Sequence, residues 1–362
     1  MKGSRSSWKV LHEDYKRIVI KVGSSLFYSL EGGYDSGVLQ KLVRQVVTLK
    51  KSGKEVVIVS SGAIALGMHI LKWSKRPKQL YRLQAAASIG QNELIDTYRD
   101  FLKGKGIHTA QILLTWDDFN DRQRYLNAKN TFLELLKHNN VPIVNENDTV
   151  STQEIQFGDN DRLSALVASL ISADILIILS DVDGLLDEDK KTIVKVVDEI
   201  SPSIKALACP TLKKTCRGGM VSKLEAAKIA TDSGIPCVVA NGRKKNIILS
   251  VLKEPQAYGT LFLPKKGMAA RKRWIAFGSK SKGRITVDEG ARTALLQQKS
   301  LLSVGIVACE GDFCLGDIVS LVDKEGCEFA RGKVGISCKE LEKVKGTRYA
   351  KEIIHRDNIV IL

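Results

Sequence analysis

Between Val144 and Asp161 the chain carries two clusters of short polar side chains, Asn145-Glu146-Asn147-Asp148-Thr149 and Gly158-Asp159-Asn160-Asp161. The first follows Val141-Pro142-Ile143-Val144, which reads as a buried strand. The second opens residues 163–171, where apolar residues recur at helical spacing. Asn and Asp suit turns and helix N-caps, so either cluster alone has a purely structural reading, and for Asp159 or Asp161 singly capping is the simpler one. Together, at a strand's end and a helix's start, they match the place where open α/β sheets bind ligands.

Further segments supply cations and backbone donors for an anion. In Ile18-Val19-Ile20-Lys21-Val22-Gly23-Ser24-Ser25 a lysine ends a buried strand and glycine allows close backbone approach, although a lone lysine there also reads as an exposed charge. In Val59-Ser60-Ser61-Gly62-Ala63-Ile64-Ala65 small residues lead from a strand into a helix. Arg217-Gly218-Gly219-Met220-Val221-Ser222-Lys223 opens another helix, where positive potential at the N-terminus and Lys223 favour phosphate. Ser180-Asp181-Val182-Asp183-Gly184 is either an acidic turn or one more polar loop of the same site. Phosphate handling fits the set, but by no common nucleotide motif. Gly-Lys pairs at 53–54, 104–105 and 332–333 are followed by Glu, Gly and Val, which excludes a P-loop. A His-Arg-Asp with a downstream Asp-Phe-Gly and a Gly-x-Ser-x-Gly elbow are both missing, and five unpaired histidines disfavour metal hydrolysis.

The elements that must position these residues alternate along the first 264 positions. Strand-like runs at 17–22, 55–60, 110–114, 141–144, 175–180 and 237–240 are separated by helical periodicity, including helices over 38–51 and 220–233 closed by Gly53 and Gly234. This predicts an α/β unit: a three-layer α/β/α sandwich on a mostly parallel sheet. The texture changes at Pro264-Lys265-Lys266-Gly267, so residues 16–264 form the expected first domain and 265–280 a linker with a leading strand at 274–277. Residues 281–362 read as a small, mostly β domain, with strands at 284–287, 304–308, 317–322, 328–334 and 353–362 and helices near 290–298 and 337–343. Residues 1–15 form an N-terminal extension.

Basic side chains exceed acidic ones, 56 to 40, for a net charge of +16, and from residue 265 onward they number 19 against 12. That excess suits nucleic acid or anionic ligands but equally a solvated surface. Seven scattered cysteines without a Cys-x-x-Cys pair are neither a disulfide framework nor a zinc ribbon. Cys309, Cys314, Cys327 and Cys338 lack histidine partners, which makes a metal site the weaker reading, and Cys216 beside Lys213, Lys214 and Arg217 reads as an ordinary thiol. The longest apolar stretch, 165–179, is broken by Asp174 and reads as a helix followed by a strand. With no apolar leader in residues 1–15, a cytoplasmic protein without membrane association is the expectation.

In order and spacing these segments resemble the amino acid kinase family, in the branch that phosphorylates glutamate and carries a C-terminal PUA module. The resemblance runs over residues 16–362. It is supported in the tail by Gly283-Arg284-Ile285-Thr286-Val287-Asp288-Glu289-Gly290-Ala291 and Ser300-Leu301-Leu302-Ser303-Val304-Gly305-Ile306. It implies transfer of the ATP γ-phosphoryl group to the side-chain carboxylate of L-glutamate, with Mg²⁺. By resemblance Lys21 and Lys223 would stabilise the transferring group and Asp161 would orient both lysines. Ser61, Asp148 and Asn160 would hold glutamate. Lys21, Ser180, Asp181, Arg217, Gly218, Gly219, Met220, Val221, Ser222 and Lys223 would form the ATP site. Proline as feedback inhibitor, a homo-oligomer and RNA contact by the PUA module are further expectations. A kinase of another small acid, such as aspartate, acetylglutamate or carbamate, and a purely RNA-binding protein are the alternatives.

Overall fold

The computed structural model describes residues 15–28, 35–150, 160–208, 219–265 and 268–362. Two compact units divide it at residue 267, with residues 119–122 grouped with the second.

The first unit holds an eight-stranded sheet: β1 (Arg17–Val22), β2 (Glu55–Ser60), β3 (Thr109–Leu114), β4 (Val141–Glu146), β5 (Ile175–Ser180), β6 (Val196–Val197), β7 (Cys237–Asn241) and β8 (Gly259–Phe262). Their order is β3-β4-β2-β1-β5-β7-β8-β6, parallel throughout except for β7 against β8. All six residues of β5 are buried, as expected of a central parallel strand covered on both faces and written as a continuous Ile/Leu run. The helices are α1 (Gly37–Lys51), α2 (Ala63–Ile70), α3 (Leu80–Leu102), α4 (Trp116–Asn120), α5 (Arg122–Lys137), α6 (Asn160–Ile171), α7 (Pro202–Ala208), α8 (Met220–Asp232), α9 (Ile247–Lys253) and α10 (Pro255–Tyr258). In α1 the buried Leu39, Leu42, Val43, Val46 and Leu49 form the apolar stripe that docks it on the sheet, and Gly53 at φ +78° follows its end. Helices α2 and α3 cross almost backbone to backbone: a Cβ on Gly67 would lie 1.7 Å from the Ala86 carbonyl oxygen, and one on Gly90 1.9 Å from that of Ala63. The mostly parallel α/β expectation holds. No described helix is long and apolar enough to cross a membrane.

The second unit contains α11 (Ala270–Arg273), α12 (Glu289–Leu296), α13 (Cys338–Val344) and a five-stranded sheet. Strands β9 (Gly283–Val287), β10 (Ile306–Gly311), β11 (Ile318–Val322), β12 (Glu328–Lys333) and β13 (Ile359–Ile361) run in the order β10-β9-β11-β12-β13. Three expectations need correction here. Residues 274–277 are not a strand but part of a π-helical turn, Trp274–Gly278. Trp274, Ile275 and Ala276 are buried in succession, and the Trp274 Nε1–H donates to the Phe119 carbonyl at 2.9 Å. Residues 303–305 coil into a 3₁₀ turn, so that strand starts at Ile306. The last strand is only Ile359–Ile361, because His355 caps a 3₁₀ turn at 356–358 through its Nδ1, which accepts from Asp357 N.

Candidate active site

The carboxyl ends of β1, β2, β4 and β5 deliver the polar residues to one edge of the sheet. Lys21 is the next-to-last residue of β1 and is paired in register with Val59 of β2 and Ile178 of β5, which leaves it 6 % exposed. Asp161 lies in the first turn of α6 at 4 % exposure, and Lys223 in the first turn of α8, which packs against α6, at 7 %. The Asp161 carboxylate bridges the two lysines: Oδ1 is 2.5 Å from Lys21 Nζ and Oδ2 is 3.2 Å from Lys223 Nζ. Ser222 Oγ also donates to Oδ2, at 2.8 Å. Burial alone would push this carboxyl up, but the charges of Lys21 and Lys223 and the hydrogen bonds from Lys21 and Ser222 outweigh it and hold Asp161 below the usual carboxylate range.

Gly219 starts α8 with φ +77° and ψ −121°, a conformation that excludes side chains with a Cβ at ordinary cost. That geometry turns its carbonyl toward the helix's own first turn, where it accepts from Lys223 Nζ at 3.2 Å and Ser222 Oγ at 3.1 Å. Lys223 is thereby held at both a carboxylate and a carbonyl.

A second group surrounds Asn160, the residue before Asp161. Its Nδ2 donates to Ser61 Oγ at 2.9 Å and to Asn145 Oδ1 at 3.0 Å, and Asn145 Nδ2 donates in turn to Gln91 Oε1 at 2.8 Å. Asn160 Oδ1 and Gln91 Nε2 are buried and have no partner among the described residues. One acceptor, on the residue before Asp161, and one donor, linked to it through Asn145, are therefore left over in this network among the described residues. Ser61 follows Ser60, whose hydroxyl accepts from the buried Tyr98 hydroxyl at 2.9 Å. Asp148 follows the end of β4; burial pushes its carboxyl up to about 6, with the Arg76 charge pulling the other way.

Ser180 ends β5 beside Gly23, whose N–H donates to the Leu179 carbonyl at 2.9 Å; a Cβ on Gly23 would lie 3.1 Å from that oxygen and 3.6 Å from Ser180 Cα. The Ser180 hydroxyl accepts from Val182 N at 3.3 Å and so closes the turn. Asp181 is exposed at that turn, and Asn241 of β7 reaches toward its carbonyl and donates to Asp183 Oδ1 at 3.2 Å.

The amino acid kinase family profile matches residues 16–241. The chain belongs to the amino acid kinase family. The PUA domain profile matches residues 283–356, so the second unit carries a PUA domain behind an amino acid kinase fold. Two similar relatives are the glutamate 5-kinases of Caldanaerobacter subterraneus subsp. tengcongensis and Thermoanaerobacter sp. X514. Each is 46% identical over 364 aligned positions, covering 96% of this chain and 98% of the relative. The glutamate 5-kinase of Nitrosospira multiformis is 45% identical with the same coverage.

Within this family frame the structure brings Lys21, Asp161, Ser222 and Lys223 into direct contact, and Ser61 with Asn160. Ser180 ends β5, and Asp148 and Asp181 sit on the loops that follow β4 and β5 at the same edge. Arg217, Gly218 and Asp159 lie outside the described residues. Two participants had no role assigned from the sequence. Asn145 is the last buried position of β4, and Gln91 falls on the buried face of α3 between Ala87 and Leu94. A polar residue at a core position was the available signal for both.

Proposed function

We propose that this kinase transfers the ATP γ-phosphoryl group to the side-chain carboxylate of L-glutamate, forming L-glutamyl 5-phosphate for proline synthesis. The observation that carries the reading is the single carboxylate of Asp161 spanning two buried lysines from opposite elements, β1 and α8. A carboxylate acceptor is already ionised at neutral pH, so no general base is required. The obstacle is bringing one anion up to a polyanion, and fixed cations aimed at the shared phosphoryl oxygens meet it. Lys21 and Lys223 take that part, and Asp161 is the positioning residue that keeps both ammonium groups together. Ser61, Asn160 and Asp148 hold the amino acid. The free Asn160 Oδ1 accepts from its ammonium group, and Asp148, as the carboxylate, supplies the opposite charge.

ATP fits the residues present: two buried lysines and a helix opened by glycine receive phosphates, and Ser180 and Asp181 border the same edge. Mg²⁺, when bound, neutralises phosphate charge. Both Asp161 oxygens already face lysines, so the ion would be held chiefly by the nucleotide's own phosphate oxygens. Residues 16–264 make up the catalytic domain and 281–362 the PUA domain. Proline inhibits by overlapping the glutamate pocket, the chain works as a homo-oligomer in the cytoplasm, and RNA contact is an accessory property of the PUA domain.

Glutamate-dependent ADP release, measured with and without proline, tests reaction, substrate and regulation together. Trapping the acyl phosphate as a hydroxamate over a panel of acids tests specificity, and a preference for aspartate would overturn the substrate assignment.

A further inference from the structure

Two thiols of the second unit stand in van der Waals contact and take no part in phosphoryl transfer. Cys309 lies on β10 and Cys338 opens α13; although 29 positions apart in sequence, their sulfurs are 3.9 Å apart. Strand β10 is an edge of the five-stranded sheet and α13 packs on it, with both cysteines half-buried against the unit's apolar core. Cys314 and Cys327, by contrast, are exposed.

The elements that carry the pair are firmly anchored. Ser337 and Glu340 form a capping box at the start of α13, and Cys338 N donates to the Phe313 carbonyl at 2.9 Å. A disulfide bond is about 2.05 Å long, so closure asks for roughly 2 Å of sulfur movement, which rotation of the two side chains can share. A carboxylate completes the line: Cys338 Sγ–H points to Cys309 Sγ, Cys309 Sγ–H donates to Glu342 Oε1 at 3.0 Å, and Glu342 Oε2 is 2.7 Å from Lys345 Nζ.

We propose that Cys309 and Cys338 form a redox site that a hydroperoxide converts reversibly to an intramolecular disulfide. Burial first, and then the hydrogen bond to Glu342, push the Cys309 thiol up, so Cys309 stays protonated and Cys338 is the sulfur that attacks. Its proton is released to solvent, because the Glu342 carboxyl, held low by its hydrogen bonds to Cys309 and Lys345, is too weak a base to keep it. The Cys338 thiolate attacks one peroxide oxygen, the O–O bond breaks, and the sulfur is oxidised to sulfenic acid while the other oxygen takes up a proton from solvent, equal to the one Cys338 gave up, and leaves as water. Cys309 then attacks that sulfur; the S–S bond forms and the sulfenic oxygen departs as a second water. Two thiols lose two electrons and two protons, and one hydrogen peroxide becomes two waters. A dithiol reductant reverses the change by exchange through a mixed disulfide.

The test uses the full chain with stoichiometric hydrogen peroxide. Peptide mapping is expected to find one dominant crosslink joining Cys309 to Cys338, removed by dithiothreitol. Cys309→Ser should trap a dimedone-reactive sulfenic acid on Cys338, whereas Cys338→Ser should leave Cys309 largely unlabelled. A dominant crosslink through any other cysteine would overturn the proposal, as would full alkylation of Cys309 and Cys338 after peroxide treatment. If either variant fails to fold, the crosslink map of the unaltered chain decides the matter alone.

Discussion

Asp161→Asn removes one charge and leaves two buried cations facing each other. Two ammonium groups that touch the same carboxylate, at 2.5 and 3.2 Å, lie no more than about 8 Å apart, where an effective dielectric constant of about 20 gives a repulsion of about 2 kcal/mol. Losing one partner of a buried ionic cluster typically costs about 3 to 5 kcal/mol, and the repulsion is part of that loss. For a domain of this size the melting temperature should fall on the order of 10 °C. Added ATP should narrow the gap, because its phosphates restore the negative charge that the variant lacks. Turnover should drop at least tenfold, about 1.4 kcal/mol of barrier, since the lysines are no longer held where the transferring group arrives. The acid limb has a definite sign. The folded-state value of Asp161 is depressed, so its contribution is complete above the ordinary carboxylate value, near 4, and is lost as pH falls through the lower folded one. The difference between the unaltered chain and the variant should therefore shrink below about pH 4. Thermal melts with and without ATP, together with ADP release, measure all of this. A variant within 1 kcal/mol of the unaltered chain that also turns over normally would refute the role assigned to Asp161.

Three further outcomes are expected. With the Asp148 carboxyl pushed up to about 6, the ionised form that pairs with the glutamate ammonium is lost as pH falls through that value, so KM for glutamate should rise about tenfold between pH 7 and 5 while kcat changes less. A KM flat from pH 7 to 5 would remove Asp148 from the pocket, and Asp148→Asn should show a raised KM without the pH dependence. Gly67→Ala puts a methyl group 1.7 Å from the Ala86 carbonyl oxygen and should cost about 3 kcal/mol or more in urea unfolding, at the upper end of overpacking penalties; a loss under 1 kcal/mol would contradict the close α2–α3 crossing. Tyr98→Phe deletes the buried hydroxyl that donates to Ser60 and should cost about 1 kcal/mol, with a raised KM for glutamate if Ser60 braces Ser61.

The sheet was legible because its central strands are continuous runs of Ile, Val and Leu, and a run too short for a helix yet apolar on both faces has few other places to go. The lysines could be singled out because each stands beside glycines at an element boundary. Their meeting on one carboxylate was not readable from periodicity, since Asp161 and Lys223 are 62 positions apart and come together only when α6 packs on α8. It entered through family resemblance. The direction of the Ser222 hydroxyl, toward Asp161, depends on the helix phase set by Gly219, and spacing alone does not resolve that. Residues 274–277 misled for a related reason: Trp-Ile-Ala-Phe has strand-like composition, but the segment coils into a π-helical turn whose indole N–H is bound to the Phe119 carbonyl, a tertiary partner that composition does not reveal.

Why a kinase should bury three charges follows from the same geometry. A buried ionic cluster is weak as a source of stability, because desolvating each ion offsets most of the attraction. Its value lies in having cations fixed before the phosphates arrive, so that little reorganisation remains for the chemical step. Two unpaired lysines would repel and swing apart; one carboxylate between them prevents both. That carboxylate also competes with phosphate for the same ammonium protons, which limits how tightly the ground-state nucleotide is gripped and leaves the stronger interaction for the transferring group. Strand order then decides where such a cluster can be built. β1 lies between β2 and β5 at the centre of the sheet, and α6 packs both on β1 and on α8, so the carboxyl end of β1 brings Lys21 to the first turns of α6 and α8.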